Sequence, residues 1–363
     1  MKKLLLFCVC LLALNISSFG AIISVNPGDD LQAKMNAATA GDVLIVAGGT
    51  YAPAGITFNK RLTLIGTGYL LPAGGPSSTI AQITGIVSFT TGSDFSIFTG
   101  FTVSGTINIG ANNITFSRNN VVTLYIGIDG PSYKSTQNVV VKQCKFQGGA
   151  ILVYGSFLGV IANNYQFLNN LFDATSITLY HSVESYGAFV NNNFSANLIS
   201  NCDVNFHFAN TATNVSFYNN IFGFPLSTSS SSFYLLNGAA SIPANFHYNV
   251  LVGSGVPEAN APSATNLVNQ AATNLYAGWN ANPQALTTDA RSILKLGSPA
   301  ILYGRLSPYA PASTATDAGA YGGVEPYITS GIPTGPYAYQ ILVPNVAANN
   351  SNIQITIKAK SSN

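Results

Sequence analysis

The chain has 363 residues, with 14 Lys and Arg against 12 Asp and Glu, so its formal net charge is only +2. Charged residues make up 7% of the sequence and hydrophobic residues 47%, which excludes an intrinsically disordered chain, because disorder requires high charge and few apolar residues. So few cations also exclude a nucleic-acid-binding surface, and the scarcity of Glu and Lys excludes a coiled coil.

The first twenty residues, 1–20, predict a secretory signal peptide. Two lysines form the positive start, an apolar stretch covers 4–16, and Ser18 and Gly20 place small residues before a cleavage site. The apolar stretch is too short for a comfortable membrane span. We therefore expect a secreted or cell-surface protein with no membrane span in the mature chain.

The opening of the mature chain predicts a short capping helix within residues 22–66. Asp29 or Asp30 is placed to cap the helix N-terminus, and Leu31, Met35 and Ala38 fall on one helix face. Such a helix covers the open end of a solenoid, where unpaired strand edges would otherwise invite aggregation.

A repeat of 23–29 residues runs through the middle of the chain, in regular coils expected over about 80–255. Each unit has a short alternating strand, a polar corner and a second short apolar strand, without a helical stripe. This pattern predicts an all-β parallel β-helix, in which matching residues stack about 4.8 Å apart along the axis. The expected corner column is Asn120, Cys144, Asn170, Asn197, Asn220 and Asn249, and the expected apolar column is Phe146, Phe172, Ile199, Phe222 and Leu251.

The corner column carries two further expectations. Its stacked amides are expected to hydrogen-bond from coil to coil, and Asn also suits the left-handed backbone of a tight corner. In this register Cys144 and Cys202 lie two coils apart, about 9.6 Å, which exceeds the roughly 7 Å between α-carbons that a disulfide can bridge. We therefore expect two free thiols.

The end of the chain is less regular. Residues 256–315 are rich in Ala, Asn, Pro and Ser and predict irregular last coils over 256–327, so that the β-helix spans 21–327. Residues 337–343 and 353–359 alternate around an Asn-rich turn and predict a β-hairpin within a C-terminal tail of 328–363.

Motifs near both ends of the predicted β-helix carry a family resemblance that covers about residues 22–327. They are PGDDLQA at 27–33, AGDVLIVAGGTY at 40–51, LTLIG at 62–66, GSPAI at 297–301 and TDAGAYGG at 316–323. In them the chain resembles the secreted right-handed parallel β-helix proteins of the pectate-lyase-like superfamily. The resemblance implies that the β-helix is right-handed, but it implies little about activity, because fold does not carry function.

Enzymes of this fold usually need clustered carboxylates, or a carboxylate-bound Ca²⁺ with a nearby Arg or Lys. The sequence offers only weak catalytic candidates for a proton-abstracting site, which are Asp173, His181, Glu184 and Asp203. No Cys/His spacing suits zinc. We expect no metal and no cofactor, with Ca²⁺ relevant only if the chain is a polysaccharide lyase or glycoside hydrolase.

A set of aromatic residues follows the corner column at matching spacing. Tyr154, Tyr180 and His207 align best, and Tyr125 and Tyr234 extend the series. Strand alternation turns these side chains outward. Aromatic rings with polar edges suit stacking on sugar rings, so the series predicts a ligand-binding ladder; the alternative is that exposed Tyr simply favours strands and fills cross-strand contacts.

A second column, two residues before the corners, begins with Arg118 and Lys142. Two stacked cations fit an acidic sugar, although such residues are more often solvated surface.

These features favour an exported, non-catalytic β-helix protein that binds polysaccharide, a cell-surface glycan or another extracellular surface. One alternative is a polysaccharide lyase or glycoside hydrolase of the same fold. Another is a structural or adhesive surface subunit that self-associates through its coil ends or C-terminal tail. No nucleic-acid partner is expected.

Overall fold

The computed structural model describes residues 20–71, 79–155, 160–173, 175–181, 186–190, 192–195, 204–205, 214–222, 246–252, 265–279, 287–306, 312–333, 336–342 and 356–361. Within them the chain forms short strands, most of which pair in parallel with a strand one coil away. Residues 1–19 of the predicted signal peptide lie outside the described part, as does Cys202.

Short strands and one helix occupy the first half of the described chain. In chain order they are β1 (Ile22–Val25), α1 (Leu31–Ala37), β2 (Val43–Val46), β3 (Gly49–Tyr51), β4 (Ile56–Phe58), β5 (Thr63–Ile65), β6 (Ala81–Ile83), β7 (Val87–Phe89), β8 (Ile97–Thr99), β9 (Thr102–Ile109), β10 (Thr115–Ser117), β11 (Asn120–Ile126), β12 (Ile128–Asp129), β13 (Ser132–Tyr133), β14 (Thr136–Gln137), β15 (Val140–Lys142), β16 (Lys145–Gln147), β17 (Ala150–Gly155), β18 (Ala162–Leu168) and β19 (Leu171–Asp173).

The second half continues with strands, two short helices and a 3₁₀ turn. In chain order they are β20 (Ser176–His181), β21 (Tyr186–Val190), β22 (Asn193–Ser195), β23 (Val204–Asn205), β24 (Asn214–Tyr218), β25 (Ile221–Phe222), β26 (Phe246–His247), β27 (Val250–Val252), β28 (Leu267–Gln270), α2 (Ala272–Leu275), α3 (Thr288–Ser292), β29 (Gly304–Arg305), the 3₁₀ turn Ala312–Thr314, β30 (Ala315–Thr316), β31 (Pro336–Leu342) and β32 (Thr356–Ser361).

Two long parallel sheets form the walls of the coil. Wall A runs β1-β2-β5-β8-β10-β15-β18-β21-β24-β26, with β14 beside β18. Wall B contains the path β23-β20-β17-β11-β16-β19-β22-β25-β27-β28, and β3, β4, β6, β7 and β9 join it. Each strand of wall A pairs with a strand of the next coil, so the chain rises one layer per coil. The predicted all-β parallel β-helix is confirmed.

Columns of apolar side chains fill the space between the walls. In wall A, consecutive partners place Phe98, Phe116, Val141, Phe167, Phe189, Phe217 and Phe246 in one fully buried column. The rings of Phe167 and Phe189 stack with centroids 4.7 Å apart, and those of Phe189 and Phe217 with centroids 5.0 Å apart. Ring stacking of this kind adds to the free energy gained by burial.

The predicted apolar column of wall B needs one correction. Phe146 pairs with Phe172, and Phe222 pairs with Leu251, as expected. The partner between Phe172 and Phe222 is Phe194 rather than Ile199, and Ile199 lies outside the described residues. In the coil that contains β21 and β22, the strand of wall B therefore lies earlier in the sequence than predicted.

A ladder of buried amides follows one corner of the coil, as predicted, but two of its members differ and Asn266 extends it. The observed order is Asn119, Cys144, Asn170, Asn192, Asn220, Asn249 and Asn266. Asn119 therefore replaces the predicted Asn120, which begins β11. Asn192 stands between Asn170 and Asn220, the place assigned to Asn197, which itself lies outside the described residues.

Amides in the middle of the ladder join three coils. Asn170 is typical: its Oδ1 accepts a bond from the backbone N–H of Cys144 at 2.9 Å, and its Nδ2 donates to the carbonyl of Val141 and to Oδ1 of Asn192, both at 3.0 Å. Since buried polar groups need partners, this arrangement satisfies the corner without water.

Cys144 takes an amide's place in the ladder and is a free thiol. Its Sγ accepts a long bond from the backbone N–H of Asn119 at 3.5 Å and donates to the carbonyl of Lys142 at 3.2 Å. Burial raises the pKa of the Cys144 thiol to about 12, which keeps it protonated and unreactive at neutral pH.

At five corners the left-handed backbone belongs to the residue before the ladder member, not to the ladder itself. Arg118, Gln143, Asn169, Asn219 and Tyr248 have φ between 53° and 59°. All of these residues except Tyr248 form hydrogen bonds with residues 318–333. This part of the chain runs back along the outside of the coils, and we call it the return segment.

Three of these side chains donate directly to backbone carbonyls of the return segment. Asn169 donates to Gly322 at 2.6 Å, Gln143 to Pro326 at 2.7 Å and Arg118 to Ile332 at 2.6 Å. The return segment thus runs from later coils toward earlier ones.

Both predicted end structures are present. Asp30 caps α1, accepting from the backbone N–H of Ala33 at 3.0 Å, and Leu31 and Met35 are buried against the first coils. At the other end, β31 and β32 pair antiparallel as a hairpin. None of the helices in the described ranges has the length and apolar character needed to cross a bilayer.

Candidate functional site

Tyr125 and Tyr154 of the predicted aromatic ladder lie in two neighbouring strands of wall B, β11 and β17, and the next strand, β20, contains Tyr180. Tyr154 and Tyr180 are direct backbone partners, as the spacing predicted. Tyr125 is the partner of Leu152 instead, two residues before Tyr154, so its place in the ladder was wrong. The predicted members His207 and Tyr234 lie outside the described residues.

Tyr125 and Tyr154 nevertheless touch. Their ring centroids lie 6.4 Å apart in an edge-to-face arrangement at 83°, which is a favourable geometry for aromatic pairs. Because Ile126 and Val153 in the same strands are fully buried, alternation turns both tyrosines to the outer face.

A third tyrosine, which the repeat did not reveal, completes the group. Tyr133 lies on the small antiparallel hairpin of β12 and β13, and its ring centroid is 4.9 Å from that of Tyr154. Tyr133 is 37% exposed and Tyr125 and Tyr154 are half-buried. We call Tyr125, Tyr133 and Tyr154 the tyrosine cluster.

A polar network fixes the hairpin against wall B. The Asp129 carboxylate accepts from the Thr91 hydroxyl at 2.8 Å and from the Thr91 backbone N–H at 3.2 Å, and Lys134 Nζ lies 3.5 Å from it. Lys134 also donates its backbone N–H to the carbonyl of Gly127 at 3.0 Å. The position of Tyr133 is therefore set by contacts on both sides of the hairpin.

Gly127 is required where the hairpin leaves β11. Its φ is +92°, and a Cβ at this position would lie 2.7 Å from the carbonyl oxygen of Tyr154. Glycine adopts this conformation without steric cost. It lets the chain turn outward directly beside Tyr154.

The structure describes the side chain of only one of the weak catalytic candidates, Asp173. Asp173 is buried and forms an ion pair with Arg291 of α3, with Oδ2 and Nη2 2.6 Å apart. The backbone of His181 pairs with that of Gly155 at the end of β20, while Glu184 and Asp203 lie outside the described residues. The Asp173 carboxylate thus has a structural partner.

No group of three or more His, Cys, Asp or Glu side chains suited to a metal ion is found in the part of the chain that the structure describes.

The second predicted column also needs a correction. Lys142 has Ser117 as its partner in β10, not Arg118. Arg118 is the next residue, at the corner, and its backbone N–H donates to the carbonyl of Lys142 at 3.0 Å. The two cations are still neighbours, and both line a groove outside wall A.

Comparison with known proteins gives one solved structure to report. No protein-family model matches the chain, and no curated protein matches it. The chain is similar to the crystal structure of pectate lyase Pel9A, with 14% sequence identity, a TM-score of 0.49, and coverage of 85% of this chain and 97% of that one. A similarity this distant gives no information about the activity of this chain. The assignment of a parallel β-helix rests on the strand register described above.

Proposed function

We propose that this chain is an exported, non-catalytic β-helix protein that binds a polysaccharide or another glycan-bearing extracellular surface through the tyrosine cluster. The observation that carries the proposal is the convergence of three tyrosine rings, from two coils and an inserted hairpin, on one outer face. A hairpin held by its own polar network brings Tyr133 to that face.

The chemistry of the cluster suits a sugar polymer. Each tyrosine offers an apolar ring face and a polar hydroxyl, and rigid aromatic side chains lose little conformational entropy on binding. Because Tyr125 and Tyr154 lie on neighbouring strands of wall B, the cluster extends along the axis of the coil, where layers are about 4.8 Å apart. A binding surface extended in this direction fits a chain of sugar rings better than a single sugar.

Affinity electrophoresis and pull-down with a panel of neutral and acidic polysaccharides test the proposal. We expect retention by at least one polysaccharide, and we expect Tyr133→Ala and Tyr154→Ala each to weaken binding about five- to ten-fold, the loss of one ring contact of about 1 kcal/mol or slightly more. Tyr133 is exposed enough for its removal to leave the melting temperature nearly unchanged.

Tyr218→Ala is the matched control, because Tyr218 is a half-buried tyrosine on wall A and its loss should not alter retention. Reducing ends and unsaturated products are measured in the same samples. Retention that is equal in all three variants would refute the binding site. Cleavage of the retained polymer would refute the non-catalytic part of the proposal.

A further inference from the structure

A groove outside wall A lies apart from the tyrosine cluster. It lies between the outer faces of β5, β8, β10 and β15 and the return segment, and its volume is about 580 Å³. Cavities of this size hold small organic ligands. Four adjacent parallel strands give it a floor about 14 Å long.

The walls of the groove are largely apolar, and none of the residues that line it is aromatic. The apolar side chains are Ile65, Ile97, Val324, Pro326, Ile328 and Pro333. Among the hydroxyl groups of the floor, Ser117 already donates to Thr99 at 3.1 Å. The groove therefore suits a flexible apolar body rather than a sugar ring stacked on an aromatic face.

One end of the groove carries two cations and one carboxylate. Arg118 is only 6% exposed; its Nε donates to Gln143 Oε1 at 2.8 Å and its Nη1 to the carbonyl of Ile332 at 2.6 Å. Both partners are neutral, and among the described residues no acceptor binds Nη2 and no carboxylate forms an ion pair with Arg118.

Lys142 has a partner that can be displaced. Its Nζ lies 2.6 Å from Oε2 of Glu325, but the Glu325 side chain is 57% exposed, and exposed ion pairs contribute little to stability. Burial lowers the pKa of Arg118, and the nearby Glu325 partly offsets this. The cationic end of the groove thus has two positive charges and only one negative charge.

We propose that this groove binds a small organic carboxylate with an apolar body, of the medium-chain fatty acid type. The ligand carboxylate displaces Glu325 from Lys142 and accepts hydrogen bonds from the remaining N–H groups of Arg118. The apolar chain of the ligand lies along the groove. Charge-assisted bonds of this kind are the strong ones. The site is separate from the tyrosine cluster and does not depend on the proposed function.

Methyl NMR of the full chain with isoleucine-labelled protein, titrated with monomeric decanoate, tests the proposal. We expect saturable shifts at Ile65, Ile97 and Ile328. Lys142→Met should weaken decanoate binding about tenfold or more, since it removes a charged hydrogen bond. Glu325→Gln should tighten binding about threefold, because it removes the internal competitor.

Lys34→Met is the matched control, since it breaks the ion pair between Lys34 of α1 and Asp29, which precedes that helix, and should leave decanoate binding unchanged. Decanol tests the need for the anion and should bind weakly. The proposal is overturned by absent shifts, by equal affinity in Lys142→Met, or by glucuronate binding in place of decanoate, which would make the occupant a sugar acid.

Discussion

At the scale of single residues, the buried amide ladder determines where each coil lies on the one before it. The Asn170 side chain satisfies the N–H of Cys144 and the carbonyl of Val141 in the preceding coil and also donates to Asn192 Oδ1 in the following coil. A second amide series is exposed: Asn138 donates to Asn113, and Asn164 donates to Asn138, each at 2.8 Å. The two series have the same chemistry and differ in burial.

Asn170→Ala is expected to lower the free energy of unfolding by about 3 kcal/mol. It leaves the buried N–H of Cys144 and the carbonyl of Val141 without partners, and each such group costs about 1–3 kcal/mol. Chemical denaturation measures the change. Asn164→Gly is the control, with glycine chosen because φ there is 52°, and it should cost about 1 kcal/mol or less. Equal losses of unfolding free energy in Asn170→Ala and Asn164→Gly would show that the contribution of a stacked amide to stability does not depend on its burial.

At the scale of elements, an ion pair beneath the return segment holds α3 against the coil. Lys145 Nζ and Asp289 Oδ2 are 2.7 Å apart and almost fully buried. The Tyr327 hydroxyl donates to the other oxygen of Asp289 at 2.7 Å, and Tyr69 of an early coil bonds to Tyr327. One carboxylate therefore links three distant parts of the chain.

Asp289→Ala should destabilise the protein by about 3–5 kcal/mol, because it leaves the Lys145 ammonium buried without a counterion. Glu325→Gln breaks the ion pair with Lys142 instead, and because Glu325 is exposed in that pair we expect a loss of about 1 kcal/mol or less. Thermal and urea unfolding of the two variants provide the comparison. A small loss in Asp289→Ala would mean that the α3 contact is not part of the cooperative fold.

Element by element, the sequence predicted the coils where the repeat is clean. Cys144, Asn170, Asn220 and Asn249 were placed correctly, because each follows a strand of matching pattern at a constant offset. Asn119 was missed because two adjacent asparagines fit the corner equally well. Asn192 was missed because three asparagines stand in a row and the coil before it has only 22 residues.

The site was only half predictable for similar reasons. Up to Val121 the offset to the next coil is 25 residues, but from Leu124 it is 27, since the corner at Gly148 and Gly149 adds two residues. Tyr154 lies 29 residues after Tyr125, so an offset of 27 leaves Tyr125 opposite Leu152, two residues short of Tyr154. Tyr133 lies on an insertion between repeats, where periodicity carries no information, and the path of the return segment depends on contacts far apart in sequence.

At the scale of the whole molecule, the β-helix presents two different surfaces. The outer face of wall B carries the tyrosine cluster, and the outer face of wall A carries the cationic groove beneath the return segment. In stacked coils, equivalent positions lie one above another in successive layers. Substitutions at a few of these positions on one face therefore create an extended surface without altering the core.

A crystal structure of the protein soaked with the best-retained oligosaccharide tests the central claim most directly. We predict electron density for sugar rings within about 4 Å of Tyr133 and Tyr154, with the sugar chain running along the coil axis past Tyr180. Density for the oligosaccharide on another face, with the tyrosine cluster bare, would contradict the account.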